Sequence, residues 1–172
     1  MRKFVAAFTA VGVLALTSAI VMGANETVHE LSHGGSVDSG EIRWGGSTKY
    51  STAWSHAVTT WNAMGKVTIA PDTASTYEDL TISDVSKSSE TWTGLYTNSI
   101  GADTIQFNTA NMDKAGRTDD HNKKTATHEL GHALSIGDHY ESTYSTIIMY
   151  GVASSETTLK QHDKDDYTSI YP

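Results

Sequence analysis

The 172-residue chain contains no cysteine. Disulfides, thiolate metal sites and a cysteine nucleophile are therefore excluded. Positive charge is scarce, with 12 Lys and Arg against 20 Asp and Glu. That balance argues against nucleic acid and anionic membrane as partners. Internal repeats and long low-complexity linkers are also missing. There is a single long apolar run, from Phe4 to about Met22. It follows the basic start Met1-Arg2-Lys3 and precedes the polar Asn25-Glu26-Thr27. This is the layout of a secretory signal peptide, cut after Ala24 or Ala19. A run of this length can also span a bilayer, so an uncleaved anchor is the alternative. Loss of residues 1–24 removes Arg2 and Lys3, leaving 10 basic against 20 acidic residues and a net charge of −10. The expectation is a secreted, extracellular monomer with no stable membrane association once the signal is removed.

The remaining ~150 residues suffice for one domain with a real core. Residues 25–40 are polar and rich in Gly and Ser, and read as a flexible leader into a domain over 41–172. Glu41 to Trp44 reads as a short strand closed by Gly45-Gly46. Tyr50, Ala53, Trp54, Ala57, Val58, Trp61 and Met64 recur at steps of three and four. That spacing predicts a helix with one apolar stripe, ended by Gly65. Alternation of Val67/Ile69, Leu80/Ile82 and Ile105/Phe107 predicts strands over 66–70, 79–85 and 104–108. Trp92 to Tyr96 reads as a further strand or edge segment. A second helix is expected from a cap at Asp119 or Asp120 to about Leu134. A third is expected over 158–171, opened by a capping box of Thr158 and Gln161. This order around one core indicates an α+β, layered α/β domain.

The chemistry is concentrated in His128-Glu129-Leu130-Gly131-His132. On a helix turning ~100° per residue, His128 and His132 lie ~40° apart on one face. Ala126, Leu130, Ala133 and Leu134 fall on nearly the opposite face, so the helix can bury its apolar side and present both histidines to a cleft. Two imidazoles in this relation can bind one zinc. Glu129 points between the two faces, where a carboxylate can reach a zinc-bound water and act as general base.

Thr127-His128-Glu129-Leu130-Gly131-His132-Ala133-Leu134 resembles the active-site helix of metzincin metalloproteases, the matrixins in particular. Downstream, Thr146-Ile147-Ile148-Met149-Tyr150-Gly151 resembles their Met-turn, with Met149 as the apolar floor under the zinc. The likeness extends upstream to Ile105-Gln106-Phe107-Asn108 and the Trp-rich first helix, and downstream to the tail with Asp163, Asp166 and Tyr171. It implies a twisted, mostly parallel sheet packed on two long helices, with a small C-terminal lobe below the cleft. It also implies a catalytic Zn2+, a protein or peptide substrate laid along a sheet edge near Gly94-Leu95-Tyr96, and a structural Ca2+. For calcium, Asp119/Asp120 and Asp163/Asp165/Asp166 are the available carboxylates. Tyr140 and Tyr150 are candidates for oxyanion support.

The sequence departs from the metzincin pattern after the second histidine. Ser135 stands at the glycine position and Asp138 at the third-ligand position. Snapalysin-like metzincins carry Asp there, followed by His-Tyr, as in Asp138-His139-Tyr140. The alternative is that Gly137 supplies the turn and His139 reaches the metal. His29, His33, His56, His121 and His162 show no paired metal spacing and read as surface residues. Matrixins are held inactive by a propeptide cysteine, a mechanism this chain cannot use. The expectation is therefore a zinc metalloendopeptidase. The alternative is a non-catalytic binding domain on the same scaffold, whose signature would be a closed site holding both Asp138 and His139.

Overall fold

The computed structural model describes residues 28–32 and 34–172. The expected signal segment lies outside the described residues. Among the described residues no helix is long and apolar enough to cross a membrane.

The fold is α+β, with a mostly parallel five-stranded sheet. Its strands are β1 (Glu41–Gly46), β2 (Thr68–Pro71), β3 (Leu80–Val85), β4 (Gly94–Thr97) and β5 (Asp103–Asn108), ordered β2-β1-β3-β5-β4. The β1–β2, β1–β3 and β3–β5 pairs are parallel, and β4 closes one edge antiparallel to β5. A parallel pair needs a crossover. For β1 and β2 it is helix α1 (Ser51–Asn62). Alternation sends Ile69, Leu80, Ile82, Ile105 and Phe107 into the core, all at most 3% exposed.

The stripe on α1 lands as the spacing requires. Ala53, Trp54, Ala57 and Trp61 are buried, while Val58 and Met64 are only partly covered. Trp54 meets Trp44 and Phe107 edge-on at 5.4 and 6.4 Å, which ties the helix to the sheet. Gly65 takes the left-handed conformation (φ 80°) just past the helix, and the Asn62 side chain exchanges two hydrogen bonds with the Ile69 backbone. After the short helix α2 (Thr109–Met112), helix α3 (Asp119–Ala133) packs beside α1. Trp61 Nε1 donates to Thr127 O at 2.8 Å across that contact. Helix α4 (Gln161–Ile170) ends the fold, and its Tyr167 stacks on Trp61 at 5.9 Å.

Both helix starts differ from expectation. The cap of α3 is Thr118, whose N–H donates to His121 Nδ1 at 3.2 Å. Asp119 and Asp120 fall in the first turn, where they face the positive end of the helix dipole. The cap of α4 is Lys160, with its N–H on Asp163 Oδ2 at 2.9 Å, and not a Thr158–Gln161 pair.

Candidate metal centre

His128 and His132 project from the last two turns of α3. Each ring is oriented by a backbone carbonyl, with His128 Nδ1 2.9 Å from Ile148 O and His132 Nδ1 2.8 Å from Ile136 O. A carbonyl only accepts, which favours the tautomer with the proton on Nδ1 and the lone pair on Nε2. Asp138 Oδ1 lies 3.1 Å from His128 Nε2 and 3.8 Å from His132 Nε2, and it is buried with no hydrogen bond of its own. In that tautomer three electron-pair donors face one another. Such a set is repulsive until a cation sits among them. Two neutral imidazoles and a carboxylate are the donors that suit zinc. Burial lowers the His132 pKa and neighbouring His128 lowers it further, which keeps the ring neutral. Burial works to raise the Asp138 carboxyl, and the Tyr140 hydroxyl on Oδ2 works to lower it.

Asp138 arrives there through the end of α3. Ser135, not Gly137, adopts the left-handed turn, at φ 64°. Ile136 N donates to Gly131 O at 3.0 Å and Ser135 N to His132 O at 2.9 Å, the doubly bonded helix stop usually built on glycine. Gly137 serves a different need. A Cβ there would meet His29 O at 3.0 Å, because residues 29–31 run alongside 135–137. Leu31 N donates to Ser135 O at 2.8 Å, and Gly137 N donates to His29 O. Residues 29–31, within the stretch expected to be a flexible leader, thus lie against the turn that carries Asp138.

His139, the alternative third donor, faces the other way. It is 0% exposed, and its Nε2 lies 2.8 Å from Asp166 Oδ2, among the rings of His29 and His162. It therefore does not join His128 and His132. His29 and His162 are correspondingly not simple surface residues. His56 bonds Thr157 O at 2.8 Å, and His33 lies outside the described residues.

Met149 is fully buried beneath α3, against Gly131 and Trp61. Its carbonyl accepts from His139 N at 2.9 Å. Glu129 is 6% exposed, and its Oε2 accepts from Tyr96 N at 2.9 Å. The edge strand β4 therefore commits one outward N–H to Glu129 and leaves the rest of that edge beside the metal donors. Tyr140 is 67% exposed and spends its hydroxyl on Asp138 Oδ2 at 2.9 Å. The Tyr150 side chain packs against the core, and its carbonyl accepts from Lys124 Nζ at 2.7 Å.

Lys124 escaped the sequence reading. It is 4% exposed, its Nζ lies 3.3 Å from His128 Nδ1, and burial pushes its pKa down to about 8. The available signal was its position, one helical turn before His128 on the same face. A cleft of about 400 Å3 joins these groups. One wall is Trp92 to Tyr96, the other Gly151 to Ala153, with Lys124, His128, Glu129, His132 and Asp138 between them and Leu31 at one side.

Among the described residues, the carboxylates expected for calcium form no group of three that could hold a metal. Asp120 pairs with Lys123, Asp163 accepts backbone N–H groups, Asp165 accepts from Gln161 and Asp166 pairs with His139. Among the described residues the metal-competent groups are His128/His132/Asp138 and His29/His139/His162/Asp166.

No protein-family model matches this chain, and no curated protein sequence matches it. Solved structures do. One is described as the GM1 bound form of the ECX AB5 holotoxin, with a TM-score of 0.56, 10% identity, and 77% of this chain covered against 80% of that one. Another is the structure of myroilysin, also with a TM-score of 0.56, at 14% identity, covering 83% of this chain and 98% of that one. At these identities the likeness is one of fold.

Proposed function

We propose that the chain is a secreted zinc-dependent metalloendopeptidase. The observation that carries the reading is the meeting of His128 Nε2, His132 Nε2 and Asp138 Oδ1 in an open cleft that also holds Glu129. The fold is shared with myroilysin, a metalloprotease, which supports a peptidase. The basic and apolar start of the sequence supports export.

His128, His132 and Asp138 would hold the metal, and Met149 would form the floor beneath it. Zinc bound there would lower the pKa of water and polarise a peptide carbonyl. Glu129 takes the proton from the attacking water and passes it to the leaving amine. Tyr96 N–H holds Glu129 Oε2, so the carboxylate is oriented before substrate arrives. An extended peptide lies along β4, the antiparallel edge strand, and uses the main-chain groups that Glu129 leaves open. Tyr140 positions Asp138 through its hydroxyl.

A non-catalytic binding domain would need a closed site holding both Asp138 and His139. His139 is committed to Asp166, so no specific observation favours it. The test compares the protein with its Glu129→Ala variant on a mixed peptide library, with zinc measured in both. Cleavage is expected from the parent alone, at least ~100-fold above the variant, with equal zinc in each. Zinc lost from the variant, or cleavage retained by it, would overturn the assigned role.

A further inference from the structure

Behind the turn that carries Asp138 lies a second convergence, of His29, His139, His162 and Asp166. Each offers one ligand atom, and these four atoms all lie within 4.8 Å of one another. They come from the N-terminal segment, the turn after α3, and α4. His162 and Asp166 sit one turn apart on α4, the same helical spacing that pairs His128 with His132. The His139 ring centroid is 3.9 Å from that of His29 and 4.4 Å from that of His162.

Two features of this cluster need an explanation. Asp166 is 1% exposed, yet among the described residues its ion-pair partners are the two histidines His139 and His162, with no Lys or Arg. A buried carboxylate without a fixed positive partner is strongly disfavoured. The Nδ1 atoms of His29 and His139 are also buried with no hydrogen bond, and His139 is 0% exposed. A buried polar nitrogen left unpaired is a cost that folded proteins rarely carry. A divalent cation at this point meets both needs, since it neutralises the carboxylate and takes ring lone pairs.

We propose that His29, His139, His162 and Asp166 form a second metal site, structural in role, for zinc or another divalent ion that prefers imidazole. Four protein ligands fill a tetrahedral sphere and leave no position for water, which is the arrangement of a structural centre. Its work is to fasten three segments that are remote in sequence. Asp138 and His139 are adjacent and face opposite sides, so the second centre fixes the backbone from which Asp138 projects. The proposal stands independently of the peptidase reading.

The test is zinc content per chain after metal removal, reloading and desalting, for the full chain and for His132→Ala, His29→Gln and His162→Gln. The parent is expected to hold two equivalents and each variant one. Cobalt loaded into His132→Ala is expected to show the visible absorption of a tetrahedral site. Zinc is expected to raise the thermal midpoint of His132→Ala. Loss of one equivalent in either His29→Gln or His162→Gln supports the proposal. A single equivalent in the parent that His132→Ala loses would overturn it, as would two equivalents kept by both His29→Gln and His162→Gln. His29 lies outside any helix and is half-buried, so its variant keeps the test open should His162→Gln fail to fold. Zinc lost only through His162 and His29, with His132→Ala unchanged from the parent, would instead sink the catalytic assignment and leave this one standing.

Discussion

A Cβ at position 94 would lie 2.5 Å from Glu129 Cγ and 2.6 Å from its Oε1. Only glycine lets β4 pass this close to α3. Glu129 is thus held between strand and helix, with Oε2 on Tyr96 N–H. A carboxylate fixed in this way needs no reordering when substrate binds. Gly94→Ala is therefore expected to displace Glu129 while leaving His128, His132 and Asp138 untouched. Peptide cleavage should fall ~100-fold, with zinc content unchanged. Paired measurement of kcat/KM and bound zinc checks this, and a loss of zinc would show that the strand supports the metal donors instead. Glu129 and the two histidines were legible because three residues of one short helical motif carry them. Gly94 was not, because its importance comes from a helix 35 positions away that happens to pass above it. Lys124 lies between these cases. Its face was readable, but its burial depends on Tyr150 O, which only the folded chain brings near.

At the scale of elements, the first turn of α4 does more than start a helix. Asp163 is 0% exposed and accepts from Lys160 N, Ile148 N and Met149 N at 2.9, 3.1 and 3.0 Å. One carboxylate therefore caps α4 and anchors the segment of Met149. Local spacing suggested Thr158 and Gln161 as the cap because the claim of Ile148 and Met149 on Asp163 is a tertiary contact. Ser135 is a parallel case. The helix stop after α3 was expected where it occurs, yet the residue that takes the left-handed turn is serine, held there by the two hydrogen bonds and by Leu31 on its carbonyl. Asp163→Asn puts an amide donor against backbone N–H groups and leaves at least one of them unpaired in the interior. The expected loss is about 2–4 kcal/mol of stability, read from denaturant unfolding, with cleavage reduced as the Met149 segment loosens. An unchanged unfolding midpoint would show that the three donors find other acceptors.

At the scale of the whole molecule, the periodicities that declared helices and strands also declared the core, since Ile42, Trp61, Leu80, Ile105, Phe107 and Leu130 are all 0% exposed. Strand order was not readable, because β2-β1-β3-β5-β4 depends on which strands meet and not on how each alternates. The histidine cluster was equally out of reach, since His29, His139 and His162 come together only when both ends of the chain close on the turn after α3. Metal bound at the proposed sites would link these distant parts and should show in global stability. Ligand at 100 times its Kd stabilises by about 2.7 kcal/mol per site. For a domain of this size that corresponds to a fall of about 5–10 °C in Tm when a chelator strips one site. Thermal scans with and without chelator, followed by zinc readdition, test this, and a midpoint insensitive to both would remove metal from the account of the fold.

The stretch from His29 to Leu31 has a consequence for maturation. It runs beside Ser135 to Gly137, and Leu31 forms part of the cleft wall. Residues 29–31 are thus components of the cleft, and under the proposed export the position at which a leader is cut would decide whether that cleft is whole. A new amino terminus ahead of His29 leaves it intact, whereas trimming past Leu31 removes both a wall of the cleft and the brace behind Asp138. Where a processing enzyme stops, or where an affinity tag is joined, would therefore be a determinant of the proposed activity in its own right.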